Sequence, residues 1–121
     1  MKKLKIFFAM LIAFATFQSV NAQSDKMQRT IGTKTQTIQV NGVCEMDKLR
    51  IEDAALKVEG VKSAAWNVDT KILAITYSIF KKAAVNNVEK VLASVGHDTE
   101  KFKATDVSYN NLPLCCHYTR K

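Results

Sequence analysis

Proline is nearly absent from this chain: Pro113 is the only one, and four glycines punctuate the rest. There is no internal repeat, low-complexity run or glycine-rich phosphate loop, which excludes solenoid architectures and the common nucleotide-binding motifs. Catalytic signatures are missing as well. No Ser/His/Asp spacing, paired-carboxylate motif or cofactor fingerprint occurs, so the sequence predicts a protein that is not an enzyme. Cysteine is scarce. Cys44, Cys115 and Cys116 are too few for a disulfide scaffold, and their odd number leaves a free thiol, a bond between chains or a metal ligand to be explained. Acidic residues are outnumbered, 11 against 18 lysines and arginines. The basic residues are spread along the chain, so the excess reads as a solvated surface and not as a nucleic-acid interface.

Long apolar runs are also missing. The longest, residues 6–17, falls short of the ~20 residues of a membrane span. It follows Lys2, Lys3 and Lys5 and precedes small residues at Val20 and Ala22. That is the pattern of a secretory signal peptide over residues 1–22, with cleavage predicted after Ala22. The expected location is therefore periplasmic or secreted, with no membrane span after cleavage. Loss of three lysines takes the formal charge from +7 to +4. Residues 23–32 are polar and aperiodic and read as a flexible lead-in.

One small domain remains, predicted over residues 33–103. Residues 33–40 are threonine-rich, with Ile38 and Val40 on one face, and read as a strand. Residues 47–58 read as a helix with Ile51, Ala54, Ala55 and Val58 in an apolar stripe, stopped by Gly60. Residues 61–68 and 72–77 read as strands of a hairpin, burying Trp66, Leu73, Ile75 and Tyr77. Residues 84–95 read as a second helix that ends at Gly96, and residues 97–103 supply a short edge strand. The order β-α-β-β-α-β predicts an α+β, ferredoxin-like fold, with one antiparallel sheet carrying two helices on one face. Residues 104–121 form a C-terminal tail extension, with a possible helical turn near 106–109.

The chemistry concentrates in residues 40–52, Val-Asn-Gly-Val-Cys-Glu-Met-Asp-Lys-Leu-Arg-Ile-Glu. This reads as a strand end, a loop carrying Cys44 and the first turns of a helix. A thiol there can approach a soft metal ion at the positive end of a helix dipole. With Gly60-Val61-Lys62-Ser63-Ala64, Ile75-Thr76-Tyr77 and Gly96-His97, the stretch resembles the heavy-metal-associated domain of copper chaperones and periplasmic mercury-binding proteins. The tail, Leu112-Pro113-Leu114-Cys115-Cys116-His117-Tyr118, and the segment Gly96-His97-Asp98-Thr99-Glu100 resemble a secreted bacterial branch of it. The resemblance implies a metal-binding or metallochaperone role, with Cu(I) first and Zn(II) or Hg(II) as alternatives. It also implies a metal-transporting or metal-accepting partner protein.

The family motif is Cys-x-x-Cys, and here Asp47 stands where the second cysteine would be. A carboxylate is a poor replacement for a thiolate toward a soft ion. The candidate ligands are therefore Cys44, Cys115, Cys116, Met46, Asp47 and His117. Met46 reads as a thioether ligand or, by preference, an apolar plug beneath the loop. Asp47 reads as a helix cap before a ligand, although it suits Zn(II). Cys115-Cys116-His117 can lend a thiolate to Cys44, hold Zn(II) or copper locally, or form a disulfide with Cys44. His97 reads as a surface histidine before a ligand or a hydrogen-bond donor behind the ligands. Three functions stay open: metal carriage by thiolate exchange, including a metal-bridged dimer; a metal-free interaction domain; and thiol–disulfide exchange.

Overall fold

The strands form where buried and more exposed side chains alternate, and the central strand shows it best. In the computed structural model, which describes residues 32–121, β1 spans Thr33–Gln39, β2 Val61–Trp66 and β3 Ile72–Ser78. The predicted signal peptide and most of the predicted lead-in lie outside the described residues. The sheet order is β1-β3-β2, antiparallel throughout. In β3, Leu73, Ile75 and Tyr77 are buried and the residues between them are half-buried, so one face of the sheet is covered and the other is left to water. Thr35 meets Thr76 across the strands through their hydroxyls at 3.1 Å.

The β2–β3 hairpin turns on Asn67, whose side-chain oxygen accepts from the amides of Asp69 and Thr70 at 2.8 and 3.0 Å. This local bond ends β2 at Trp66, two residues before the predicted end. The first helix, α1, spans Glu45–Leu56 and the second, α2, spans Ala84–Ser94. Both helices pack with the covered face of the sheet in one core that includes Ile51, Ala55, Trp66, Ile75, Val88 and Leu92. No described helix is long and apolar enough to cross a membrane.

Gly96 ends α2 in the left-handed region, at φ +104°. The amide of His97 bonds the Leu92 carbonyl at 2.9 Å and that of Gly96 bonds Ala93 at 3.1 Å, which is the Schellman pattern. A Cβ at Gly96 would meet the Ser108 carbonyl oxygen at 2.7 Å. Gly96→Ala should therefore destabilise the protein by more than the roughly 1–2 kcal/mol of left-handed strain. Chemical denaturation would register this as a lower midpoint at unchanged slope.

The predicted fourth strand is reduced to one antiparallel bridge, Val40 to Thr99. The chain turns back at once: the Thr99 amide donates to the Phe102 carbonyl at 2.8 Å, and the Phe102 amide donates to Thr99 Oγ1 at 3.1 Å. Glu100 Oε1 then accepts the Gln39 amide at 3.0 Å, doing for that donor what a strand carbonyl would have done.

The tail folds against the domain. Thr105 caps the short helix α3, Asp106–Asn110, and a 3-10 turn spans Leu114–Cys116. Leu112, Cys116 and Tyr118 form a second buried cluster, with Cys44 and Tyr109 packed against it. Polar bonds fasten the same segment. Tyr118 Oη donates to the Gly96 carbonyl at 2.7 Å and accepts the Asp98 amide at 2.9 Å. Arg120 reaches both Asp98 carboxylate oxygens at 3.0 Å and Asp106 at 3.0 Å.

Candidate metal centre

The loop between β1 and α1 is held from below. Trp66 Nε1 donates to the Val40 carbonyl at 3.0 Å, and the indole lies so close under Gly42 that a Cβ there would meet it at 3.0 Å. Cys44 occupies the N-cap position in extended conformation, and its carbonyl accepts the Lys48 amide at 3.1 Å. The helix therefore starts at Glu45, two residues before its predicted start. Asp47 is not the N-cap residue. It lies in the first turn and reaches back past the N-cap, Oδ2 accepting the amide of Val43, the residue before Cys44, at 2.8 Å.

The tail brings Cys116 to this loop. Its Sγ lies 3.5 Å from Cys44 Sγ and 3.8 Å from Cys115 Sγ. Cys44 Sγ is also 3.8 Å from Asp47 Oδ2, and Arg50 Nη2 is 4.0 Å from Cys116 Sγ. Cys44, Asp47 and Cys116 thus place three ligand atoms within 4.8 Å of one another. The cysteines are free thiols. Burial pushes the Cys116 thiol up to about 12.

The other candidates separate. Cys115 is exposed, and its Sγ lies 3.8 Å from Met46 Sδ. Met46 is 49% exposed, so it is not the plug beneath the loop; Trp66 holds that place. His117 turns away from the sulfurs. Its Nε2 donates to the Leu112 carbonyl at 2.9 Å, and its ring stacks on Tyr109 at 4.8 Å between centroids.

His97 is fully buried, which corrects the surface reading. Its Nδ1 lies 2.8 Å from the Asn41 carbonyl, which can only accept, so Nδ1 carries the proton. Burial pushes the imidazole pKa down. In the neutral ring Nε2 is a lone pair facing another acceptor, Asp47 Oδ1, at 3.6 Å; it makes no hydrogen bond. Asp47 is satisfied instead by Arg50 Nη1, 2.8 Å from Oδ1. The sequence carried one signal for this. His97 follows the left-handed glycine of a Schellman motif, a position that commonly packs back onto the helix.

A sulfur pair beside a carboxylate, one sulfur on the loop before the first helix of a ferredoxin-like domain and the other on its tail, defines a candidate soft-metal site. The fold is of the heavy-metal-associated type, the type to which the structural neighbours belong. No family model matches the chain, and no curated protein matches it. A CopZ metallochaperone is 25% identical with a TM-score of 0.51; the likeness covers 55% of this chain and 98% of that one. Oxidized MerP from Ralstonia metallidurans CH34 is 28% identical with a TM-score of 0.52, over 56% of this chain and 94% of that one. Nearly all of each neighbour is matched, while part of the described chain has no counterpart in either.

Proposed function

We propose that this protein is a secreted or periplasmic carrier, not an enzyme, that holds a soft monovalent ion, Cu(I) first, between Cys44 and Cys116. The carrying observation is the 3.5 Å contact between one thiol of the loop and one of the tail, 72 residues apart. The tail restores the sulfur that Asp47 cannot supply, because a soft ion takes thiolate before carboxylate. With metal–sulfur bonds near 2.3 Å, a 3.5 Å gap gives a bent S–M–S angle of about 100°. A bent pair leaves the outward side of the ion free for a third sulfur, and a partner's thiolate arriving there can take the ion without releasing it to water. Asp47 serves as the buried acceptor that fixes the loop amide and Arg50. Zn(II) would recruit its carboxylate as well.

Competition for Cu(I) against a chromogenic chelator tests this reading. The reduced protein should withdraw one ion per chain, and failure to withdraw any would end it. The affinity should also depend on pH. Cys116 holds its proton up to about 12, so Cu(I) must displace that proton across the whole physiological range. Each displaced proton raises the apparent affinity about tenfold per pH unit. Titrations from pH 6 to 9 should show affinity rising throughout, and a flat profile would exclude Cys116 as a ligand.

The same contact favours a second reading, thiol–disulfide exchange. Cys44 and Cys116 are near enough to bond after a small adjustment. Mass measurement of the unreduced protein separates the two: a stable disulfide that persists during metal challenge supports exchange.

A further inference from the structure

The sulfur atoms do not stop at the buried pair. In a row, Met46 Sδ lies 3.8 Å from Cys115 Sγ, Cys115 Sγ 3.8 Å from Cys116 Sγ, and Cys116 Sγ 3.5 Å from Cys44 Sγ. Met46 is 49% exposed and Cys115 is exposed, Cys116 is fully buried and Cys44 is half-buried, so two exposed sulfurs lead to the pair proposed to hold the ion. A single ion with bonds near 2.3 Å can touch two sulfurs at once if they are less than about 4.6 Å apart. Every gap in this row is shorter than that. Leu114, 87% exposed, and Val43, 41% exposed, lie next in sequence to Cys115 and Cys44 and offer no competing hard ligand from their side chains.

Resting on the function proposed above, we infer that Met46 and Cys115 form an outer landing site for a soft monovalent ion, from which it passes through Cys116 to Cys44. At each step one metal–sulfur bond forms before another breaks, and the ion stays in the +1 state. Each thiol that takes the ion gives its proton to water, and Cys115 regains one when the ion moves on. The thioether of Met46 carries no proton, so capture there needs no deprotonation. The path also assigns the two tail cysteines different work. Cys115 receives, and Cys116 holds.

The test is the rate of Cu(I) uptake from its complex with excess glutathione, followed by stopped flow. It compares the full-length reduced protein with Met46→Leu and Cys115→Ser. Leucine keeps the volume of methionine and removes its sulfur. Circular dichroism verifies that both variants fold, as substitutions at exposed positions should. The uptake rate should fall at least tenfold in each variant, while the equilibrium affinity falls by much less, within threefold. Rates within twofold of the parent in both variants would overturn the landing site. So would a tenfold loss of affinity in step with the rate, because the sulfurs would then be ordinary equilibrium ligands. If the parent takes up no Cu(I), the proposed function itself fails, and that result is distinct from either of these.

Discussion

Replacing Cys116 by serine should lower Cu(I) affinity at least about a thousandfold, close to 4 kcal/mol. The hydroxyl is a hard donor with a high pKa, so it cannot substitute for a thiolate toward a soft ion. Cys44→Ser should cost about as much, because each thiol alone leaves the ion with one sulfur from this pair. The two losses should not add: the double variant should bind about as weakly as either single one, since the pair acts as a unit. Cys116 is fully buried and packs with Leu112 and Tyr118, so a serine there also risks loosening the tail. Cys116→Ala separates the effects, because it removes the sulfur without burying a hydroxyl. If the alanine variant keeps the parent's affinity, Cys116 is not the second ligand.

The largest loss of stability is expected at Trp66. Its side chain is 1% exposed and lies in the main core. Trp66→Ala should cost about 3–5 kcal/mol through lost burial and the cavity left behind. The change also strips the donor from the Val40 carbonyl and the floor from Gly42. The loop carrying Cys44 would then lose its support, and metal affinity should fall together with the denaturation midpoint. A loss below about 1 kcal/mol would mean that the core closes around the gap. Trp66→Phe should recover most of the stability and leave Val40 without its indole donor.

Much of the fold is legible in periodicity. The alternation of Leu73, Ile75 and Tyr77 marks a half-covered central strand, and those three side chains are buried as that pattern requires. Ile51, Ala54 and Ala55 mark the inner stripe of α1 and are buried, and Val58, two residues past its end, is buried with them. Residues 97–103 read as an edge strand because nothing in that polar stretch announces the turn that Thr99 makes with Phe102. The site was legible only as a set of residue types. Cys44 stands out in its loop, but the approach of Cys116 depends on Tyr118 bonding Gly96 and Asp98 and on Arg120 gripping Asp98. These are polar contacts between residues about twenty positions apart, and hydropathy patterns carry no trace of them. His97 failed for a related reason. A lone histidine after a glycine reads as surface, yet the backbone path of the Schellman turn sends it inward. Met46 failed in the opposite direction, since Trp66 already fills the space beneath the loop.

The division of labour between loop and tail has a structural consequence. In the motif that the loop resembles, both thiolates come from one turn of chain. In the proposed site one would come from the N-cap of α1 and the other from a 3-10 turn near the C-terminus. Loading the site therefore ties the tail to the domain, and removing the ion releases one of its fastenings. Ligand binding of this kind raises stability by mass action, so the metal-loaded protein should resist denaturation better than the metal-free one.

X-ray absorption of the protein loaded with one equivalent of Cu(I) tests the central claim most directly. The copper should have two or more sulfurs as nearest neighbours with no nitrogen or oxygen, and should lose one sulfur in Cys116→Ala. A single sulfur neighbour completed by lighter atoms, unchanged by Cys116→Ala, would contradict the claim.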